Sequence, residues 1–459
     1  MKHSKKNSST IVAQASGPGE SAISIVRLSG TNALKISQLI WQPARSQSVK
    51  PRELTLGWLI DDATRLDQAM RVYMPGPHSY TGEDVVEIHL HGAPIITQTT
   101  IELALKAGAT MARPGEFTER AYLAGKLDLI QAEAVAELIS SSNTTMMRLA
   151  SKQLAGGLSN SIKDIKNTLL GLAAHEAALL DFSEEDITNT DSSAQLKTIH
   201  SLITQSKDLL KNHSSLGVVR SGVYVALVGL PNAGKSTLLN TLLGFDRSIV
   251  TSTAGTTRDT ITETINLDGL SLHLTDTAGL RRATDDIESM GIERTQAEIH
   301  SSDCILILIE PGQTQATVDY LQSNSLLENL DNTNSLVVYT KSDVAQETPH
   351  SPDLSALPSL SISAQSNTNI SALRSQLQEI TTKHSSTENL QVITTRQIEL
   401  ITGLNKQLTI TAQLLENHTP SDIILVEYQK ALQICNYLTG EEVTQEIINE
   451  VFSHFCIGK

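Results

Sequence analysis

The 459-residue chain is too long for one ordinary domain. Its 39% hydrophobic and 19% charged content fits a soluble globular protein of about three domains, with aliphatic cores because only 3% of residues are aromatic. A net charge of −15 excludes the broad basic surface that unspecific binding to nucleic acid or anionic membrane requires, though not a local basic patch.

Three widely spaced cysteines, Cys304, Cys435 and Cys456, make neither a metal cluster nor a disulfide framework and suit a reducing, cytoplasmic setting. No apolar core follows the lysines of Met1 to Thr10, and no apolar run approaches about 18 residues, so neither a signal peptide nor a membrane span is expected. From Thr10 to about Leu123 the pattern is mixed. Ile23-Ser-Ile-Val-Arg-Leu28 and Val85-Val-Glu-Ile-His-Leu90 alternate like strands, and Ile95 to Ala107 reads as a helix after Pro94. Residues 1–124 are therefore read as an α+β domain. Arg27 and Glu87 stand inside its strands, where a solvated sheet face and a ligand site both account for them.

From residue 125 the periodicity turns helical. Leu127, Ile130, Ala134 and Leu138 step by three and four, and Leu158, Ile162, Ile165, Leu169 and Leu172 do so again. The acidic, hydroxyl-rich stretch Ser183 to Ser193 interrupts this pattern, and Gln195 to Lys211 resumes it. Residues 217–383 read differently. Apolar strands at Val223 to Val228, Cys304 to Ile309, Ser335 to Tyr339 and Leu360 to Ile362 alternate with helices. Ile261 to Leu267 and Leu270 to Leu274 flank the hairpin dipeptide Asp268-Gly269. This predicts a doubly wound, mostly parallel sheet with its ligands at the carboxyl ends of the strands. Thr381 to Asn389 reads as a linker. In residues 384–459 two helical stripes return, one on Leu404, Leu408, Thr411 and Leu415 and one on Ile447, Ile448, Val451, Phe452 and Phe455. The segments 125–216 and 384–459 thus read as one discontinuous all-α domain into which residues 217–383 are inserted.

The inserted domain carries the chemistry. Gly229-Leu-Pro-Asn-Ala-Gly-Lys-Ser236 lies between a strand and a helix, the setting in which backbone N–H groups and a helix N-terminus cradle phosphates. Asn232, Ala233, Gly234, Lys235, Ser236 and Thr237 are its nucleotide contacts; Lys235 reaches the β- and γ-phosphates and Ser236 ligates magnesium. Asp276-Thr277-Ala278-Gly279 supplies the second magnesium-linked aspartate and the γ-phosphate sensor. In Thr340-Lys341-Ser-Asp343 the Asp343 carboxylate can accept both N–H donors of the guanine edge, and Ser363-Ala364 presents a backbone N–H to the guanine carbonyl. Together these predict a Ras-like P-loop GTPase domain. Two departures stand out. Thr340 replaces the familiar asparagine, weakening guanine affinity, and Leu280 occupies the position of the water-orienting glutamine. Glu288 is the candidate to orient water instead, with a solvated helix residue as the alternative. The hydroxyl-rich loop Thr251-Ser252-Thr253-Ala254-Gly255-Thr256-Thr257 carries Thr257 as a magnesium ligand, and beside Asn232 it can hold a monovalent cation.

The chain resembles the MnmE (TrmE) family of tRNA-modification GTPases over essentially its whole length. The supporting stretches are Thr10-Ile-Val-Ala-Gln14, Tyr80-Thr-Gly-Glu-Asp84, Arg113-Pro-Gly-Glu-Phe-Thr-Glu-Arg120, Gly125-Lys-Leu-Asp-Leu129, Gln131-Ala-Glu-Ala134, Ala254-Gly-Thr-Thr-Arg-Asp259 and Cys456-Ile-Gly-Lys459. The resemblance implies a homodimer joined through its N-terminal domains, working on tRNA with the FAD-dependent partner MnmG (GidA), FAD residing only in that partner. The pair adds an aminomethyl or carboxymethylaminomethyl group to carbon 5 of the wobble uridine. It also implies that the N-terminal α+β domain binds 5-formyltetrahydrofolate or methylenetetrahydrofolate through Arg27, Glu87, Lys126 and Lys459. GTP hydrolysis is implied to depend on potassium held by Asn232, Thr251, Thr253 and Thr256, with Mg2+ on Ser236 and Thr257, Glu288 orienting water and Arg258 acting from the switch. Cys456 reads as a mobile tail thiol or, by its family position, as a group near folate and uridine; a prenylation box fails because Gly458 is not aliphatic and Lys459 is not an accepted terminal residue.

The rival reading is a regulatory GTPase of ribosome assembly, which calls for an RNA-binding module with a basic Gly-X-X-Gly loop that the sequence does not display. A membrane-remodelling GTPase calls for a lipid anchor, equally missing from the pattern.

Overall fold

A computed structural model describes residues 9–45, 48–181, 192–211, 216–245, 262–267, 269–276, 302–327, 330–344, 354–383, 391 and 394–459. The chain divides into two compact units. One comprises Met1–Ile139, Ala150–Asp208 and Thr394–Lys459; the other comprises Ser140–Leu149 and Leu209–Ile393.

The first unit begins with strands β1 (Ile11–Gln14) and β2 (Ser21–Ser29), helix α1 (Ala33–Ile40), strands β3 (Trp41–Pro43), β4 (Thr55–Asp61), β5 (Thr64–Met74) and β6 (Val85–Gly92), helix α2 (Pro94–Lys106), strand β7 (Thr110–Met111) and helix α3 (Glu116–Leu123). Its sheet runs β3-β4-β5-β6-β2-β1-β7, antiparallel except for the β1–β7 pair. Alternation sorts its faces. Val26, Leu28, Val86, Ile88 and Leu90 point to a core shared with Ile36 and Ile40 of α1 and Leu103 and Ala104 of α2. The intervening residues Arg27, Glu87 and Val72 lie in one row across β2, β6 and β5 on the other face. Part of that face is covered by α3, whose Phe117 packs with Ile11, Ala13 and Ala112.

Helices α4 (Leu129–Ser140), α5 (Thr144–Leu154), α6 (Gly157–Asp181) and α7 (Ser192–Leu209) follow. α6 buries Leu158, Ile162, Ile165 and Leu169, the stripe seen in the sequence. The second unit then contributes α8 (Leu216–Ser221), β8 (Val223–Val228), α9 (Lys235–Phe245), β9 (Thr262–Leu267), β10 (Leu270–Asp276), β11 (Cys304–Ile309), α10 (Thr314–Ser323), β12 (Ser335–Tyr339), β13 (Ser359–Ser361) and α11 (Ile370–Lys383). The strand order is β13-β12-β11-β8-β10-β9, parallel except for the β9–β10 hairpin. β11 and β12 are buried along their whole length, as expected of parallel strands covered on both faces.

Helices α12 (Thr395–Glu416), α13 (Ser421–Thr439) and α14 (Gln445–Ser453) return to the first unit. α13 packs on α6 and α12, and Ile448 and Phe452 of α14 pack on Leu129 and Ala132 of α4. Arg396 of α12 forks onto both oxygens of Glu133 at 2.6 and 2.9 Å, joining the first and last segments of this unit.

Two boundaries differ from the sequence reading. α11 continues through Thr381, Thr382 and Lys383, the first residues of the expected linker, and α7 starts already at Ser192. Among the described residues no helix is long and apolar enough to cross a membrane.

Candidate functional site

The nucleotide-binding motifs gather at the carboxyl ends of β8, β10 and β12. β8 is a nearly continuous buried run and delivers the chain into the loop before α9, whose first residue is Lys235. The loop turns through left-handed backbone at Asn232 (φ 68°) and Gly234 (φ 91°); asparagine and glycine are the residues that tolerate it. Ala233 is buried beneath the turn, while Asn232, Ser236 and Thr237 are exposed. Lys235 is only 4% exposed, and its Nζ donates to the carbonyls of Gly229 (2.6 Å) and Leu230 (2.9 Å), which centres the ammonium in the loop. Asp276 closes β10 in register with Leu227 of β8.

The residues expected to recognise the base follow β12 and β13. The Thr340 hydroxyl and N–H both donate to the Ile309 carbonyl, at 3.3 and 2.9 Å, so its single O–H is already committed. A β-carbon added to Gly234 would stand 3.7 Å from Thr340 Cβ, which places Thr340 against the phosphate loop. Lys341 adopts φ 54° and its Nζ pairs with Glu310 Oε1 at 2.5 Å. Asp343 is exposed, its carboxylate open to a base. Ser363 is buried and exchanges both backbone bonds with Thr368, so within Ser363-Ala364 it is Ala364 that can offer its N–H. Thr241 of α9 donates to the Ala364 carbonyl at 3.3 Å, tying this loop to the phosphate-loop helix. The predicted contacts Thr251, Ser252, Thr253, Ala254, Gly255, Thr256, Thr257, Arg258, Thr277, Ala278, Gly279 and Glu288 lie outside the described residues.

The first unit holds a second cluster. Arg27 Nε and Nη2 both lie 2.8 Å from Glu87 Oε1, and Glu87 Oε2 faces His89 Nε2 at 3.5 Å. The Arg27 guanidinium carbon lies 5.6 Å from the centre of the Phe117 ring and 5.9 Å from that of Tyr80. Burial pushes the Tyr80 phenol up from its ordinary value, against the opposing effects of its 3.0 Å bond to Thr118 and of the Arg27 charge.

The chain end comes to the same place. Gly115 N–H donates to the Cys456 carbonyl and Phe117 N–H to the Lys459 carbonyl, so Lys459 sits beside the ring that contacts Arg27. Lys126 follows α3, with its Cε 3.6 Å from a β-carbon position on Gly82, in the loop that carries Tyr80. Arg27, Glu87, Lys126 and Lys459, far apart in sequence, thus border one region. Tyr80 and Phe117 belong there too, although the sequence marks them only as parts of longer motifs. Behind them Arg120, 4% exposed, bonds Glu116 Oε1 (2.8 Å) and Glu83 Oε2 (2.9 Å), and Ser29 donates to the same Glu83 oxygen. This buried network fixes the Tyr80 loop to α3, and burial raises the neighbouring Glu119 carboxyl above its ordinary value.

A carboxylate on a sheet face beside a guanidinium and two aromatic rings, with two lysines bordering the region, has the donor and acceptor types to hold a planar heterocycle that bears N–H groups and an anionic tail. The phosphate loop likewise has the backbone turn and the buried ammonium to hold a nucleotide.

Residues 129–456 match the family model described as the MnmE helical domain, and residues 10–126 match that of the GTP-binding protein TrmE N-terminus. Similar curated proteins include the tRNA modification GTPase MnmE of Aquifex aeolicus, 37% identical over 451 residues, covering 98% of this chain and 99% of that protein. Those of Clostridioides difficile (33% over 458 residues, 98% and 99% covered) and Bacteroides thetaiotaomicron (35% over 469 residues, 99% and 100% covered) carry the same name.

Proposed function

This chain belongs to the tRNA modification GTPase MnmE family and is a GTP hydrolase acting in tRNA modification; from that premise we propose that, with an FAD-dependent partner, it adds an aminomethyl or carboxymethylaminomethyl group to carbon 5 of the wobble uridine, using a tetrahydrofolate one-carbon unit. The observation that carries this reading is the docking of Cys456 to Lys459 against α3, beside the Arg27–Glu87 pair. In it, Glu87 accepts from the heterocycle's N–H groups while Arg27 holds the carboxylate in place. Tyr80 and Phe117 supply the apolar wall, and Lys126 and Lys459 face the carboxylates of the folate tail. Bound there, the tetrahydrofolate derivative supplies the one-carbon unit.

In the second unit, Lys235 and the loop N–H groups bind the GTP phosphates and Asp343 selects guanine. Ser236 and Thr257 hold Mg2+; Asn232, Thr251, Thr253 and Thr256 hold K+, which supplies positive charge in place of an arginine finger. Glu288 orients the attacking water and Arg258 acts from the switch. A homodimer joined through the N-terminal sheets is supported by the exposed residues Leu56 and Met70, paired across β4 and β5 on the same face as Arg27 and Glu87.

The test supplies the full chain and its flavin-loaded partner with tRNA, GTP, ammonium or an amino acid as the source of the amine nitrogen, a reductant for the flavin, and tetrahydrofolate bearing an isotope-labelled one-carbon unit. Label at carbon 5 of the wobble uridine is expected; modification without label contradicts the reading.

A further inference from the structure

Strand β5 breaks the usual division between apolar core and polar surface. Its core-facing positions include Asp67 and Arg71, while Leu66 and Met70 face outward. Asp67 is answered by His91, through both the backbone N–H (3.0 Å) and Nδ1 (2.6 Å).

Arg71 has no such answer. It is 5% exposed, its Nη1 reaches the Ser37 hydroxyl at 3.3 Å, and its guanidinium carbon lies 4.2 Å from the Trp41 ring centre. Among the described residues no carboxylate stands within ion-pair distance of it. Burial lowers its pKa from the ordinary guanidinium value. The indole face offsets part of the cost of burying this charge, but a guanidinium has five N–H donors and a ring face satisfies none of them as an acceptor.

Arg71 borders a cavity of about 340 Å³, lined besides Arg71 and Trp41 by residues that include Gln38, Gln42, Ser48, Thr55, Val49 and Ile60. We propose that this cavity is a binding site for a small monocarboxylate, whose carboxylate pairs with the Arg71 guanidinium at its floor. One cation with neutral amides and hydroxyls around it balances one negative charge; a phosphate dianion would be left half-compensated. The volume suits a molecule of a few heavy atoms beyond the carboxylate, and Val49 and Ile60 offer it apolar contact. The site is independent of the folate reading, since Arg71 and Arg27 belong to opposite faces of the sheet.

The experiment is saturation-transfer NMR on the full chain with sodium propionate, compared with the neutral propionamide and with inorganic phosphate, the phosphate read by its competition against the propionate signals at equal ionic strength. Propionate is expected to bind saturably, and propionamide and phosphate at least about tenfold more weakly, as loss of a charge-assisted pair predicts. Arg71→Met removes the charge while keeping an apolar stem over Trp41. Val49→Trp, on the exposed rim, blocks the mouth while keeping the arginine; both are expected to weaken propionate at least about tenfold. Should Arg71→Met fail to fold, Val49→Trp decides alone. No saturable propionate binding, equal binding of propionamide or phosphate, or full binding by Val49→Trp overturns the proposal.

Discussion

Gly458 passes so close to Gln14 that a β-carbon on it would stand 1.9 Å from the Gln14 carbonyl oxygen, and its φ of 97° is one that side chains with a β-carbon rarely adopt. The tail can lie against the end of β1 only with glycine at this position. Gly458→Ala is expected to lift the tail away from α3, weakening 5-formyltetrahydrofolate at least about tenfold by removing Lys459 from the site. The melting temperature should change little, because the tail is a chain end with few buried side chains. Calorimetric titration paired with a thermal melt checks both; unchanged folate affinity would detach the tail from the site.

At the guanine end, the O–H of Thr340 is spent on Ile309, so an asparagine there adds a donor next to the phosphate loop. Thr340→Asn is expected to tighten GDP about threefold to tenfold, the worth of one neutral hydrogen bond. Asp343→Asn cannot accept from both the guanine ring N–H and its exocyclic amino group and should weaken GDP at least tenfold while gaining affinity for xanthosine diphosphate, roughly in line with the cost of an unpaired polar edge. Fluorescent-nucleotide competition measures all three.

Asn232, held in left-handed backbone at the exposed lip of the loop, is the described member of the proposed potassium set. GTP hydrolysis is expected to run faster in potassium than in sodium at equal ionic strength, and Asn232→Ala should erase the difference. Equal rates for the unaltered chain would remove the cation from the catalytic account.

The cysteines differ sharply in environment. Cys304 and Cys435 are buried, and burial pushes both thiols up to about 12, whereas Cys456 is exposed. Since the thiolate is the nucleophile, iodoacetamide at pH 8 should label the folded chain once, at Cys456, and three times after denaturation. Mass spectrometry of Cys456→Ser should then show no native labelling; labelling of Cys435 before unfolding would contradict the packing of α13.

Much of the second unit was legible because parallel strands buried on both faces leave continuous apolar runs, as at Cys304–Ile309 and Ser335–Tyr339, and because the phosphate loop is a local motif. The N-terminal sheet was less so. Only β2 and β6 follow the usual alternation. β4 is interrupted by Gly57, where a β-carbon would meet Gln42 O and Trp41 Cζ2 at 2.3 Å. β5 turns Asp67 and Arg71 inward and Leu66 and Met70 outward, which inverts the pattern a reader looks for. Arg27 and Glu87 could be flagged as charges within strands. Tyr80, Phe117 and Arg120 could not be placed beside them, because their contacts are made across the sheet and by the chain end.

The most direct measurement is equilibrium binding of 5-formyltetrahydrofolate to the full-length chain and to its Arg27→Met and Glu87→Gln variants, each checked for native folding by circular dichroism. Saturable binding by the unaltered chain, weakened at least about tenfold by either substitution, is the predicted result. Equal affinity in all three folded proteins, or no binding to the unaltered chain, would contradict it.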